Sequence, residues 1–221
     1  MNIRNSLLLS FTILSLMMLA SVGIIGLTAI NSLETSTGNH IDTISEITMS
    51  SIRTELENTY LDTQRIATNR DILSAVEESN RDFKQMENIT ETMEEREKRW
   101  LEGRDIRQQL LQNEMSLFLI REVNLRTSLF NREQKNEMLL TNRYGALLGA
   151  SGNVSDYIQN DETWWQNAMN GTGYIAELRF DRSLGTHSIE FSVPIENSSG
   201  GHIGVISNGI PLPAIIEPVI K

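Results

Sequence analysis

Asp156, Asp161 and Glu162 place three carboxylates inside seven residues. Such a set is the raw material of paired-carboxylate hydrolysis, in which one acid protonates the leaving group while the other attacks or activates water. These acids also stand at a turn and a helix entrance, where carboxylates serve turn and capping chemistry, and that is the simpler reading. His187 and His202 lie in two runs that read as paired strands, so they could face each other across a hairpin. Two imidazoles without a placed carboxylate are more often ordinary strand residues than a metal site. The sequence has no Gly-x-Ser-x-Gly elbow, no glycine-rich phosphate loop and no His-Glu-x-x-His. No enzyme activity, cofactor or metal is therefore expected. Asn88, Asn153, Asn170 and Asn197 open Asn-x-Ser/Thr triplets that an exported chain could have modified.

Charge narrows the partners. The 221 residues carry a formal charge of −10 and a pI near 4.8, which argues against a nucleic-acid partner, because phosphate binding needs a basic face. There is no cysteine, which removes disulfide scaffolds and thiolate metal sites. From Leu7 to Ile30 no residue is charged. Such a run reaches about 36 Å as a helix, enough to cross a hydrocarbon core of about 30 Å. It is too long for a signal-peptide core, and no Ala-x-Ala follows, so residues 7–30 are expected to be an uncleaved transmembrane anchor. Arg4 is the only charge before it and places residues 1–6 in the cytoplasm. The expected location is the cell membrane, single-pass, with Asn31 onward outside. That part carries 18 basic and 29 acidic side chains, which suits a soluble domain held off anionic lipid.

The exported part divides near Asn136. In residues 31–135 only Gly38 and Gly103 occur and proline is absent. Ile41, Ile44, Ile47, Ile52, Leu56 and Tyr60 recur at helical spacing, which predicts one long amphipathic helix whose stripe is core or dimer seam. Asn69-Arg70-Asp71 reads as a break with a cap, followed by a short helix at Ile72–Val76. A third helix is expected over Asp82–Gln112 and a more apolar fourth over Glu114–Leu129, beneath a sheet. The mixed charges of Glu91–Trp100 read as a solvated helix face. Beyond Asn136, glycine and asparagine separate β-like runs: Met138–Asn142, Ala146–Ala150, Tyr174–Phe180, His187–Ile195 and His202–Ile210. A short helix is expected over Asp161–Asn170 and a hairpin turn over Asn197–Gly201. The proline-broken tail after Pro211 is too short to span a membrane. The fold class is α+β, a small antiparallel sheet of about five strands with helices on one face.

The 140–212 segment resembles the Cache sensor domains, the PAS-like extracytoplasmic modules of histidine kinases and methyl-accepting chemotaxis receptors. The resemblance rests on Thr141-Asn-Arg-Tyr-Gly145, Ser155-Asp-Tyr157, Asp161-Glu-Thr-Trp-Trp-Gln-Asn-Ala168, Phe180-Asp-Arg-Ser183, Phe191-Ser-Val-Pro-Ile195 and Gly204-Val-Ile206. It covers about a third of the chain directly. It extends loosely to the whole, since such receptors place a long helix between their first span and their sheet. The resemblance implies an anchored sensor that binds a small molecule, assembles as a homodimer and signals through its membrane helix. Complete receptors continue into a second span and a kinase or methyl-accepting region, so the chain is expected to be part of such a receptor or a stand-alone anchored binding protein.

The resemblance also implies a site. Related amino-acid sensors carry aromatic residues and an alanine that correspond to Tyr157, Trp164, Trp165 and Ala168, and an aspartate that corresponds to Asp181. Their carboxylate-binding arginine is replaced here by Glu162, and a late aspartate by Gly209. The remaining set, Tyr157, Glu162, Trp164, Trp165 and Asp181, suits an amine or another cation through cation–π contact and charge-assisted hydrogen bonds. Arg143 and Arg179 are candidates for the same pocket, and either could bind an anion instead. Glu162 also reads as a helix-start residue complementing the dipole, and either tryptophan as core. An exported hydrolase using Asp161 or Glu162 is the third reading.

Overall fold

The computed structural model describes residues 3–129, 136–171, 173–181 and 185–220, without side-chain positions for 3–14, 20, 33–39, 129 and 217–220. Ser183 of the matched stretch lies outside the described residues. The chain forms two compact units, Met1–Ser50 and Ser51–Lys221. Helix α1, Ile3–Ala67, contributes to both.

In the first unit, Ser15–Ser32 is long and apolar enough to cross a membrane. Its described side chains from Leu16 to Ile30 are exposed on every side of the helix. Ile41, Ile44 and Ile47 are also exposed.

In the second unit, α1 is followed by α2 (Arg70–Lys84), α3 (Ile89–Leu101), α4 (Asp105–Leu111) and α5 (Glu114–Leu129). Asn69 caps α2 by accepting the Asp71 N–H, where a cap was expected, but the helix is three turns longer than Ile72–Val76. The single helix expected over Asp82–Gln112 is instead three pieces. Asn88 interrupts it by accepting the Glu91 N–H as the cap of α3, and Gly103 ends that helix with a positive φ of 68°. Both are stop signals that outweigh the charged periodicity between them.

Strands β1 (Glu137–Asn142), β2 (Leu147–Ala150), β3 (Tyr174–Ile175), β4 (Arg179–Asp181), β5 (Thr186–Glu196) and β6 (His202–Pro211) form one antiparallel sheet. Its order is β2-β1-β6-β5-β3, with β4 also on β5. The run Tyr174–Phe180 is thus two short strands on one neighbour. The β5–β6 hairpin forms at the expected turn, where the Asn197 side chain accepts the N–H groups of Ser199 and Gly201. The two histidines do not face each other: His187 pairs with Phe180, and His202 pairs with Glu196 while its Nδ1 lies 3.0 Å from the Met169 carbonyl.

Alternation along the strands gives the sheet two different faces. Met138, Leu140, Val193, Ile195 and Ile206 pack on Ile66, Ile72, Val76, Leu119 and Val123 from α1, α2 and α5. Burying each such aliphatic side chain is worth about 1.5–3 kcal/mol, so this layer dominates the stability of the unit. On β6, Asn208 turns to the same side and donates to Thr63 Oγ1 of α1 at 3.0 Å. The other face carries α6 (Thr163–Met169), with Trp164 and Ala168 against Val205.

The tail also departs from expectation. Leu212–Ile220 is a helix, α7, and its Ala214 and Ile215 bury against Phe191 and Ile210 together with Ile52 and Leu56 of α1. Pro213 lies in the first turn, where a missing N–H costs no hydrogen bond. The stripe of α1 is therefore divided in use. Ile52, Leu56 and Tyr60 serve this core, while Ile41, Ile44 and Ile47 do not.

Candidate functional site

A cavity of about 560 Å³ opens on the α6 face of the sheet, within the usual size range for small-molecule sites. β1 supplies Glu137 and Leu139, β5 supplies Glu190, and β6 supplies Ser207 and Gly209. The segment between β2 and α6 adds Asp156, Gln159 and Glu162, and β4 brings Arg179, Phe180 and Asp181. Period-2 geometry explains the strand residues: Glu137, Leu139, Glu190, Ser207 and Gly209 point away from the helix-packed face.

Five carboxylates therefore surround this space, with Arg179 as the one cation among the described lining residues. Glu190 is the most enclosed; its side chain is 15% exposed, and its two oxygens accept from the Ser207 hydroxyl at 2.6 Å and the Arg179 guanidinium at 2.8 Å. Burial still outweighs both partners and lifts its titration above the usual carboxylate range. Glu162 is raised too, first by desolvation and then by Asp156 and Asp161, against the opposing pull of Arg179. Asp181 accepts from the Ser188 hydroxyl at 3.2 Å. Five carboxylates, two of them with raised titrations, against one arginine leave this cavity short of positive charge.

Of the residues singled out from sequence, Glu162, Trp164, Asp181 and Arg179 line this cavity together. Glu162 occupies the N-cap position of α6 but makes no side-chain capping bond. Trp164, 3% exposed, is a wall as much as a core residue. Trp165 does not line the cavity; its indole N–H donates to Thr141 Oγ1 at 2.9 Å, and it packs against the cluster of Trp164, Ala168 and Val205. Tyr157 turns the other way, onto Trp100, with its hydroxyl 3.1 Å from Arg96. Arg143 is exposed in the β1–β2 turn, with its guanidinium 5.9 Å from the Tyr144 ring.

Sequence reasoning missed Glu137, Asp156 as a wall residue, Ser207 and above all Glu190. The signal for Glu190 was present: in Ser188-Ile-Glu-Phe-Ser-Val193 it is the one charge in an alternating run, on the polar side. It pairs in register with Gly209, the position where the resemblance led to an aspartate and found none. Among the described residues no group of three or more histidines and acids is arranged to hold a metal ion.

No family model and no curated protein matches the sequence. Solved structures do match. The sensor domain of the V. cholerae histidine kinase DctB aligns with 83% of this chain at a TM-score of 0.53 and 12% identity, and the chain spans 59% of that domain's length. The ligand-binding domain of the Pseudomonas aeruginosa amino-acid chemoreceptor PctC, solved with GABA, aligns with 83% of the chain and 68% of its own at 15% identity and a TM-score of 0.47. That of the Pseudomonas fluorescens chemoreceptor CtaA, solved with L-serine, aligns with 81% and 61% at 14% identity and 0.46. These neighbours are sensor and ligand-binding domains. The fold of this chain is that of the Cache-type, PAS-like sensor domains found in histidine kinases and chemoreceptors.

Proposed function

We propose that the chain is the membrane-anchored, extracytoplasmic ligand-sensing part of a signal-transduction receptor, either a sensor kinase or a chemoreceptor, and that its cavity takes a small organic cation such as an amine. The carrying observation is the excess of carboxylates around a cavity of about 560 Å³ in a sensor fold. Glu162, Asp181 and Glu190 accept the ammonium hydrogens, Trp164 and Phe180 supply the apolar and aromatic walls, and Arg179 holds Glu190 in place. Tyr157 and Trp165 support the walls from behind, and Arg143 stands outside. The region acts by binding, without catalysis of its own. Residues 7–30 anchor it with residues 1–6 in the cytoplasm, and a parallel homodimer forms along Ile41, Ile44 and Ile47.

Calorimetry on the full chain in detergent micelles, against primary amines, diamines, quaternary ammonium ions and organic acids, tests the reading. A cation should bind saturably, and Glu162→Arg should weaken it by at least about tenfold, the worth of one charge-assisted contact. Tight binding of a carboxylic acid, undisturbed by Glu162→Ala, would overturn the cationic assignment and point to Arg179 as the contact.

A further inference from the structure

A second cavity, of about 400 Å³, lies on the far side of the segment that walls the first, between α3, α4 and β2. Its electrostatics are opposite. No carboxylate is among its described lining residues, whereas Arg96 and Arg99 both are. Arg99 is committed, since its Nη2 lies 3.0 and 2.8 Å from the two oxygens of Asp105. Asn113 and Ser79 are committed as well: Asn113 bonds the Leu148 carbonyl and the Ser116 N–H, and the Ser79 hydroxyl bonds Asn142.

Arg96 is different. Its guanidinium stacks 5.1 Å from the Phe83 ring centroid and donates from Nη1 to the Tyr157 hydroxyl at 3.1 Å, and no carboxylate among the described residues pairs with it. Tyr157 accepts that bond with its oxygen, so its own proton remains to be donated. Its burial at 3% exposure raises the phenol's titration, against the pull of Arg96, and keeps it neutral. Glu97 fixes the phenol's position by accepting the backbone N–H groups of Tyr157 and Ile158 at 2.7 and 2.9 Å. A stacked, half-buried guanidinium beside a hydroxyl with a proton to give is a donor pair for an oxyanion.

We propose that this cavity is a second ligand site, taking a small oxyanion, carboxylate or phosphate, on the Arg96 guanidinium and the Tyr157 hydroxyl. It shares no described lining residue with the cation cavity, and its charge is opposite. The polar groups converge from α3 and from the segment before α6, while Phe83, Leu147 and Leu148 line the apolar sides.

Isothermal titration of the full chain in detergent micelles, at low salt, with acetate, succinate and inorganic phosphate as three separate probes tests it. At least one probe should bind saturably, and which one does distinguishes a carboxylate site from a phosphate site. Arg96→Gln should weaken that probe by at least about tenfold and Tyr157→Phe by about fivefold, reflecting a charged and a neutral hydrogen bond. Glu190→Gln, in the other cavity, should leave it unchanged. Should Arg96→Gln not fold, as judged by circular dichroism, Arg96→Lys keeps the charge without the planar fork and should still bind more weakly than wild type. Absence of saturable binding for all three probes, or equal binding in wild type and the folded Arg96 and Tyr157 variants, would overturn the site while leaving the cationic reading of the first cavity intact.

Discussion

Glu190 holds two roles that pull in opposite directions. Burial of its side chain, 15% exposed, opposes its ionisation, while in the proposed site its charge attracts a cation. Glu190→Gln should therefore leave the thermal stability of the ligand-free chain unchanged or raise it by up to about 1 kcal/mol, while weakening cation binding by at least about tenfold. Thermal melts with and without ligand read both. The exposed Arg179 left behind is 56% solvated and costs little. The same raised titration sets the pH profile. Glu190 and Glu162 must be ionised to hold a cation, so affinity is full above their folded-state values and falls as pH drops through them. That fall should begin at a higher pH than an ordinary carboxylate would give, with proton release on binding at mildly acidic pH. Their effect on stability has the opposite sign: these groups bind protons more readily folded than unfolded, so their contribution favours the fold increasingly as pH falls toward the ordinary carboxylate value. At this scale the sequence was partly readable. Glu162, Trp164, Asp181 and Arg179 line one cavity, because strand period and helix entrance place them. Tyr157 does not, because a residue in an irregular segment has no periodicity to tell which way it faces.

The segment from Val154 to Glu162 is the element on which both cavities depend, and its position is set by unusual backbone contacts. Gly145 has a φ of 79°, and a Cβ there would collide with the Asn160 Cβ. The Gln159 N–H bonds the Gly145 carbonyl at 2.8 Å and the Leu147 N–H bonds the Tyr157 carbonyl at 3.0 Å. Gly145→Ala should thus cost at least about 2 kcal/mol, combining left-handed strain with a forced displacement of Asn160, and should weaken binding in the first cavity as well. Urea unfolding and calorimetry would show both losses together; stability lost with affinity kept would mean that the segment relaxes without moving Glu162. Helices and strands were legible wherever a period ran long enough, as in β5, β6 and α5. The misses share a cause. Asn88 and Gly103 cut a continuous charged pattern by capping and left-handed geometry, and α7 forms despite its prolines because Ala214 and Ile215 find a buried seat that no local pattern reveals.

On the scale of the whole chain, the use of the α1 stripe decides which residues the proposed dimer would use. Ile52 and Leu56 pack in the chain's own core, so cysteines introduced there should crosslink poorly between copies, while those at Ile44 and Ile47, with 63% and 61% exposure, should crosslink readily in membranes. The chain has no native cysteine to confuse the result. Efficient crosslinking at the polar Glu57 instead of Ile44 would relocate the seam. Protease added to spheroplasts should digest the domain, and full protection would reverse the proposed topology. The two-sided sheet has a consequence for how such a molecule can diversify. On β6, Ser207 and Gly209 border the cavity while Ile206, Asn208 and Ile210 hold the helices. Substitution at the first pair can explore new chemical preferences without disturbing the second set. A single-residue insertion or deletion in that strand would exchange the two sets at once. The lining of the cavity is thus open to change by replacement, but not by a change in the length of this central strand.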